Sequence, residues 1–215
     1  GGFNDLLTSP HLDASGYRYG LGICPFVKVG ASVVFDTSTF TDPNYPNLAS
    51  RAYRDGARIS NNSWGADTSG DYDTDAQAYD ALVRDAQPAS SAVPAAGNQQ
   101  MVFCFAAGNA GSSAGTVGSP GSAKNVITVG AAENVHSHST ANGGNSGSGN
   151  DGCDTPDSEA NSAADIASFS SRGPCSDGRQ KPELVAPGTH VTGGVGQSIL
   201  TTSGTGTALS CFEGS

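Results

Sequence analysis

Residues 101–110 read MVFCFAAGNA, an uninterrupted apolar run that ends in two alanines, a glycine and one polar side chain, Asn109. An apolar run of this length, bounded by turn residues, predicts a β-strand that is buried on both faces of a parallel sheet. A near copy, AAGN at 95–98, follows Pro88 and Pro94, which break any strand there, and no apolar run leads into it. We therefore place the strand at the second stretch and a helix-to-strand loop at the first.

The flanking sequence alternates strand-like and helix-like stretches. Residues 57–64 are predicted to form a short strand that runs into a polar loop, and the apolar run at 125–131 predicts another strand. The run at 26–35 is also strand-like because it is rich in β-branched residues. Stretches bounded by capping residues predict helices over 46–56 and 73–86. This alternation indicates an α/β domain with a mostly parallel sheet, in which ligands bind beyond the carboxyl ends of the strands.

The composition limits the classes of partner. The 215 residues carry 10 basic and 20 acidic side chains, a net charge of −10, which argues against nucleic acid and anionic membranes as partners. No apolar run approaches the roughly 18 residues of a transmembrane helix. We expect residues 1–215 to belong to one domain of a protein that works in a secreted setting.

A long acidic stretch of low complexity, residues 139–164, is expected to form a surface loop. Its carboxylates could bind calcium, but their spacing does not match an EF-hand, and a solvated loop is the preferred interpretation. None of the five cysteines forms a Cys-x-x-Cys pair, so zinc is not expected. Cys24 and Cys104 lie in apolar segments and are expected to be buried, whereas a disulfide between Cys153 and Cys175 is left open.

Asn109 is the side chain of the opening segment that could take part in chemistry. A carboxamide offers two N–H donors without a net charge. Held on a tight glycine turn at a strand end, it can point at an oxygen that becomes negative during acyl transfer. On this segment alone, the favoured interpretation is a plain strand end whose side chain bonds to the local backbone.

Three further stretches match one known family in the family's own order. They are GARISNNSWG (56–65), GSPGSAKNVITVGA (118–131) and, most specific, FSSRGPCSDGRQKPELVAPGT (169–189). With the strand that ends in AAGN, they make the chain resemble the subtilisin-like serine proteases, the subtilases, over nearly its whole length. The resemblance implies a three-layer subtilisin-like α/β fold that is incomplete at both ends. It also implies that Asn109 is the oxyanion-hole donor of a serine endopeptidase.

The resemblance further implies where a peptide substrate would bind. In subtilases, the strand before the oxyanion asparagine and a Ser-Xaa-Gly segment flank the pocket for the residue before the cleaved bond, and extended peptides pair with backbone there. The implied walls are Ser63, Trp64 and Gly65 on one side and Ala106, Ala107 and Gly108 on the other. Trp64 is the only tryptophan, and it could equally be a core anchor.

The catalytic triad of the family is not recognisable in these residues. Subtilases carry it in the order Asp, His, Ser, with the histidine in His-Gly-Thr and the serine in Gly-Thr-Ser, and neither tripeptide occurs. The stretch most similar to Gly-Thr-Ser and its neighbours is SGTGTA (203–208), which would put Gly206 in place of the serine. We prefer to interpret TALSCFEGS (207–215) as part of an inserted loop, with the nucleophile after Ser215. The four histidines are expected on the surface: His11, His136, His138 and His190. The remaining alternative is a weak metal-binding pair formed by His136 and His138.

Three functions are compatible with these residues. The first is the middle of a secreted serine endopeptidase that cleaves polypeptides through an acyl-enzyme, with calcium as the one cofactor left open. The second is a non-catalytic, subtilase-derived scaffold that binds a peptide or another partner. The third is an esterase-like hydrolase with a rearranged serine, since the same oxyanion machinery handles esters. Such a central piece would expose an apolar sheet face, so we expect flanking segments or self-association to cover it.

Overall fold

A computed structural model describes residues 23–24, 26–35, 43–134, 162–189 and 191. The chain divides into two units. The larger unit consists of residues 28–130 and 168–186, and the smaller of residues 1–27, 131–167 and 187–215. The larger unit contains both described helices and all the residues of the predicted oxyanion and substrate sites.

Two helices of the larger unit begin at polar caps. Helix α1 spans Tyr45–Arg54, and the side chain of Asn44 accepts a hydrogen bond from the N–H three residues on, at 2.9 Å. Helix α2 spans Thr74–Arg84, and Asp73 caps it in the same way, also at 2.9 Å. Both predicted helices are confirmed, and each ends two residues earlier than predicted.

Four strands form one sheet in chain order. They are β1, Ile59–Asn62; β2, Val102–Ala106; β3, Ile127–Ala132; and β4, Leu184–Pro187. The β1–β2 and β2–β3 pairs are both parallel. The predicted α/β class with a parallel sheet is therefore confirmed. Strand β4 was not predicted, because a run of four residues that ends in a proline does not stand out as a strand.

Strand β2 is buried on one face only. Phe103 and Phe105, which point to the inner face, are 3% and 1% exposed, whereas Val102 and Ala106 on the other face are exposed. The prediction of a strand buried on both faces is therefore wrong. A continuous apolar run does not report which of its two faces the rest of the chain covers.

The exposed side of the sheet is apolar. The strand register pairs Ile59 with Val102 and Cys104 with Ile127, so these four side chains share one face, which we call the outer face. Ile59, Val102 and Ile127 are 68%, 41% and 36% exposed. Cys104 is partly buried between them.

An aromatic cluster fills the core on the inner face. The ring of Tyr79 from α2 lies 5.2 Å from that of Phe103 and 4.7 Å from that of Phe105, in edge-on geometry. The Trp64 ring lies edge-on to Phe105 at 5.4 Å and stacks on Tyr45 at 5.6 Å. Burial raises the pKa of the Tyr79 hydroxyl, so this residue stays neutral at physiological pH.

Two sequence segments have no regular secondary structure. Residues 26–35 form no strand, and Val29 and Val33 are 84% and 82% exposed, so their β-branched side chains have no sheet surface on which to pack. Residues 95–98, the upstream AAGN, lie in the irregular connection between α2 and β2, which confirms the loop predicted there.

In the smaller unit, the end of β3 is joined to a short segment that follows the predicted acidic loop. Ala132 and Ile166 form an antiparallel bridge, and the Glu133 N–H donates to the Asp165 carbonyl at 3.0 Å. The predicted loop at 139–164 lies almost wholly outside the described residues. Its carboxylates, which are the calcium ligands considered above, lie outside them too.

Candidate active site

The carboxyl ends of β1 and β2 bring the two predicted substrate walls next to each other. Asn62, the last residue of β1, is paired with Phe105 of β2 in parallel register. Ser63 therefore leaves β1 opposite Ala106, and both of these residues are exposed. Residues that are far apart in sequence thus meet at the edge of the sheet where α/β proteins bind ligands.

Trp64 is a core anchor as well as a member of the first predicted wall. Its ring contacts Tyr45 and Phe105 in the aromatic cluster, and the ring of Phe35 lies edge-on to it at 5.5 Å. The indole is therefore only half-exposed, in contrast to Ser63 on its N-terminal side. A peptide at this wall would meet mainly backbone and the small neighbours of Trp64.

The chain after Trp64 is fixed by backbone pairing. Ala66 and Ser119 form an antiparallel bridge in which each N–H donates to the other's carbonyl at 2.9 Å. Gly65 lies so close to this bridge that a Cβ on it would be 2.7 Å from the Ser119 carbonyl oxygen. The Ser119 hydroxyl donates to the cap residue Asp73 at 2.5 Å, which ties the bridge to the start of α2.

Strand β2 ends in a tight turn. The buried Ala107 donates its N–H to the Val129 carbonyl and accepts the Gly118 N–H, both at 2.9 Å. Gly108 follows with φ +111°, a conformation that residues with a Cβ rarely adopt. The turn brings Asn109 out of the sheet to the surface.

One residue of the FSSRGP segment holds the turn on both sides of Asn109. The Ser171 N–H donates to the Gly108 carbonyl at 3.0 Å, and the Ser171 hydroxyl oxygen accepts the Ala110 N–H at 3.1 Å. Sequence reasoning singled out this segment as the most specific family match but gave Ser171 no role. The membership of Ser171 in this segment was the only signal in the sequence.

The carboxamide of Asn109 is exposed, and it makes no hydrogen bond within the part of the chain that the structure describes. The carboxamide of Asn62 differs, because it is buried and donates to the Ser60 hydroxyl at 3.0 Å and to the Cys104 carbonyl at 3.3 Å. Asn109 thus keeps both N–H donors available for an acceptor from outside the chain.

The described residues offer few other reactive groups. Burial raises the pKa of the Cys104 and Cys175 thiols, so both are protonated at neutral pH and are poor nucleophiles. Cys175 is buried and forms no disulfide, and Cys24 is exposed, contrary to the prediction that it is buried.

The described part of the chain has no cluster of three or more metal-ligating side chains. The four histidines, Gly206 and Ser215 lie outside the described residues.

Comparison with known proteins places the chain in a family. A model of the subtilase family, Peptidase_S8, matches residues 7–215. The chain belongs to the subtilase family. This subtilase is 37% identical over 117 residues to the serine protease AprX of Bacillus subtilis (strain 168), a match that covers 54% of the chain and 21% of AprX. The chain thus spans about a fifth of the length of that relative.

Two solved structures are similar to this subtilase. Sphericase is 24% identical, with a TM-score of 0.37, over 66% of the chain and 36% of Sphericase. The S41 psychrophilic protease is 23% identical, with a TM-score of 0.34, over 69% of the chain and 40% of that protease. Among the described residues of this subtilase, no helix is long and apolar enough to cross a membrane.

Proposed function

We propose that this chain forms the oxyanion-hole and substrate-binding part of a secreted subtilisin-like serine endopeptidase. The observation that carries the proposal is the carboxamide of Asn109, which is exposed and unbonded to any described residue on a turn that is itself firmly held. A carboxamide at a strand end can bond to the local backbone, and Asn109 makes no such bond to a described residue. The geometry of Asn109 instead suits a donor to a bound substrate.

In the proposed reaction, the family's serine attacks the carbonyl carbon of the substrate peptide bond. The carbonyl oxygen then becomes negative, and Asn109 donates an N–H to it. The serine proton passes to the histidine and from there to the leaving amine, and water later cleaves the acyl-enzyme by the same steps. Because the turn is held before the substrate arrives, the donor needs no reorganisation when the charge develops.

The two predicted walls support the same proposal. Ser63 and Gly65 are exposed beside the end of β1, and Ala106 is exposed at the end of β2. Small side chains at these positions let a substrate backbone approach closely. The Trp64 ring packs in the core against Tyr45 and Phe105, and this packing fixes the position of the first wall.

Kinetics on the full gene product that contains residues 1–215 tests this function. Asn109→Ala is expected to lower kcat on the order of 100- to 1000-fold, the loss measured for the equivalent donor of a subtilisin, with a much smaller change in KM. Asn98→Ala is the matched control, since Asn98 is exposed and follows the same Ala-Ala-Gly sequence. An equal effect of the two substitutions on kcat would contradict the assignment.

A fluorophosphonate probe separates the endopeptidase from the two alternatives. Labelling of a serine together with peptide turnover supports the proposal. Labelling with turnover of esters but not of peptides would favour the esterase-like hydrolase. A protein that binds peptide but is neither labelled nor active would favour the non-catalytic scaffold.

A further inference from the structure

Ser171 contacts both peptide groups that flank Asn109. Its N–H donates to the carbonyl oxygen of Gly108, immediately before Asn109, at 3.0 Å. Its hydroxyl oxygen accepts the N–H of Ala110, immediately after Asn109, at 3.1 Å. A backbone held at both of these peptide groups has little freedom to rotate between them.

The hydroxyl of Ser171 is also fixed by its surroundings. Ser171 is 1% exposed, and its Oγ lies where a Cβ on Gly108 would come within 2.9 Å. The absence of a side chain at Gly108 is therefore what lets the hydroxyl reach past it to the Ala110 N–H. A third hydrogen bond, from the Gly111 N–H to the Phe169 carbonyl at 2.9 Å, joins the same two segments.

We propose that Ser171 is a positioning residue for the oxyanion hole, whose hydroxyl holds the backbone from which the Asn109 side chain projects. The carboxamide has no hydrogen-bond partner of its own among the described residues, so the direction of its Cα–Cβ bond is set by this backbone alone. An oxyanion donor must be held to within about 0.5 Å and 10–20° of the productive geometry. The inference rests on the function proposed above for Asn109.

The neighbouring Ser170 provides a matched control. It is as deeply buried as Ser171, at 2% exposed, but its Oγ lies 3.2 Å from where a Cβ on Gly130 would be, on β3. Ser170→Ala therefore removes a hydroxyl that is about as buried as that of Ser171 and lies one position away, and it leaves the hydrogen bonds of Ser171 to the turn in place. It reports what the loss of a buried hydroxyl does elsewhere in this segment, together with the contacts that this hydroxyl makes.

A double-mutant cycle in the full gene product tests the inference. Ser171→Ala is expected to lower kcat about 3- to 10-fold, as expected for the loss of one hydrogen bond, with KM changed less than about twofold. Ser170→Ala is expected to change kcat less than Ser171→Ala. In an Asn109→Ala background, Ser171→Ala is expected to have no further effect, because the group it positions is gone.

The outcomes distinguish this inference from the proposed function. If Asn109→Ala leaves kcat unchanged, the proposed function itself fails. The positioning role is overturned if Asn109→Ala lowers kcat but Ser171→Ala changes kcat no more than Ser170→Ala does. It is also overturned if Ser171→Ala lowers kcat equally in the unsubstituted protein and in the Asn109→Ala variant.

Amide hydrogen exchange of the unsubstituted protein tests the contact without any variant. The Ala110 N–H should exchange more slowly than the Asn109 N–H, and equal exchange would overturn the inference.

Discussion

Replacing Gly108 by alanine should destabilise the protein through two separable effects. The first is backbone strain, because φ at this position is +111°. The second is steric, because the new Cβ would lie 2.9 Å from the Ser171 Oγ, closer than such atoms normally approach. Since Ser171 holds the turn that carries Asn109, the same substitution should also disturb the proposed oxyanion donor.

The magnitude follows from these two effects. A residue with a Cβ at a strained positive φ costs about 1–3 kcal/mol, of which about 0.4–1 kcal/mol is offset because alanine restricts the unfolded chain. Moving the Ser171 hydroxyl away removes its hydrogen bond from Ala110, worth about 0.5–1.5 kcal/mol. We therefore expect Gly108→Ala to lower the free energy of unfolding by about 0.5–4 kcal/mol.

Two comparisons separate the backbone effect from the steric one. Gly56, just beyond α1, has a similar φ of +101° but no atom within 4 Å of an added Cβ, so Gly56→Ala carries the backbone strain alone. In the double variant Gly108→Ala, Ser171→Ala, the nearest remaining atom of residue 171 is the Cβ at 3.6 Å, an ordinary contact. The double variant should therefore lose less stability than the sum of the two single variants.

Urea unfolding of the full gene product and its four variants measures these differences. The expected order of destabilisation is Gly108→Ala above Gly56→Ala, with a favourable coupling between positions 108 and 171. Equal losses for the two glycine substitutions, together with additivity in the double variant, would refute the steric part of the reasoning. The contact between Gly108 and the Ser171 hydroxyl would then have no energetic role.

Two further predictions concern the ion pair between Lys181 and Glu183 and the outer face of the sheet. Glu183→Gln should lower the free energy of unfolding in urea titrations by more than Lys181→Met, because it leaves the ammonium group of Lys181, whose side chain is 2% exposed, without its charged partner at 2.5 Å, whereas Lys181→Met leaves Glu183, which is 38% exposed and can be solvated. Equal losses would contradict this. Residues 1–215 produced alone should self-associate through the outer face, where Ile59 and Val102 are 68% and 41% exposed, and Ile59→Lys should shift sedimentation toward the monomer. A monomeric, cooperatively melting unsubstituted chain would refute that expectation.

Local sequence patterns predicted most of the regular structure. Apolar runs located β2 and β3, the stretch at 57–64 was predicted to contain the short strand β1, and capping residues located the starts of α1 and α2 to within two residues. The failures have a common cause. Residues 26–35 have strand-like composition but form no strand, and β4 forms a strand although its sequence was not predicted to, because strand formation depends on what pairs with the segment.

The sequence by itself determined the family and the turn at the end of β2. An apolar run that stops at small residues must end its strand there, and a glycine can take the positive φ that brings Asn109 to the surface. These are properties of the local backbone, and local residues suffice to specify them.

Only the tertiary structure decided what holds that turn and what Trp64 does. Ser171 is 61 residues from Ala110 in sequence, and no periodicity or spacing encodes a hydrogen bond between segments so far apart. The sequence left Trp64 as a core anchor or a pocket wall, and the structure shows that its ring packs in the core against Tyr45 and Phe105. Both outcomes depend on which distant residues pack together, because side-chain contacts between segments arise only when the whole chain buries its apolar surface.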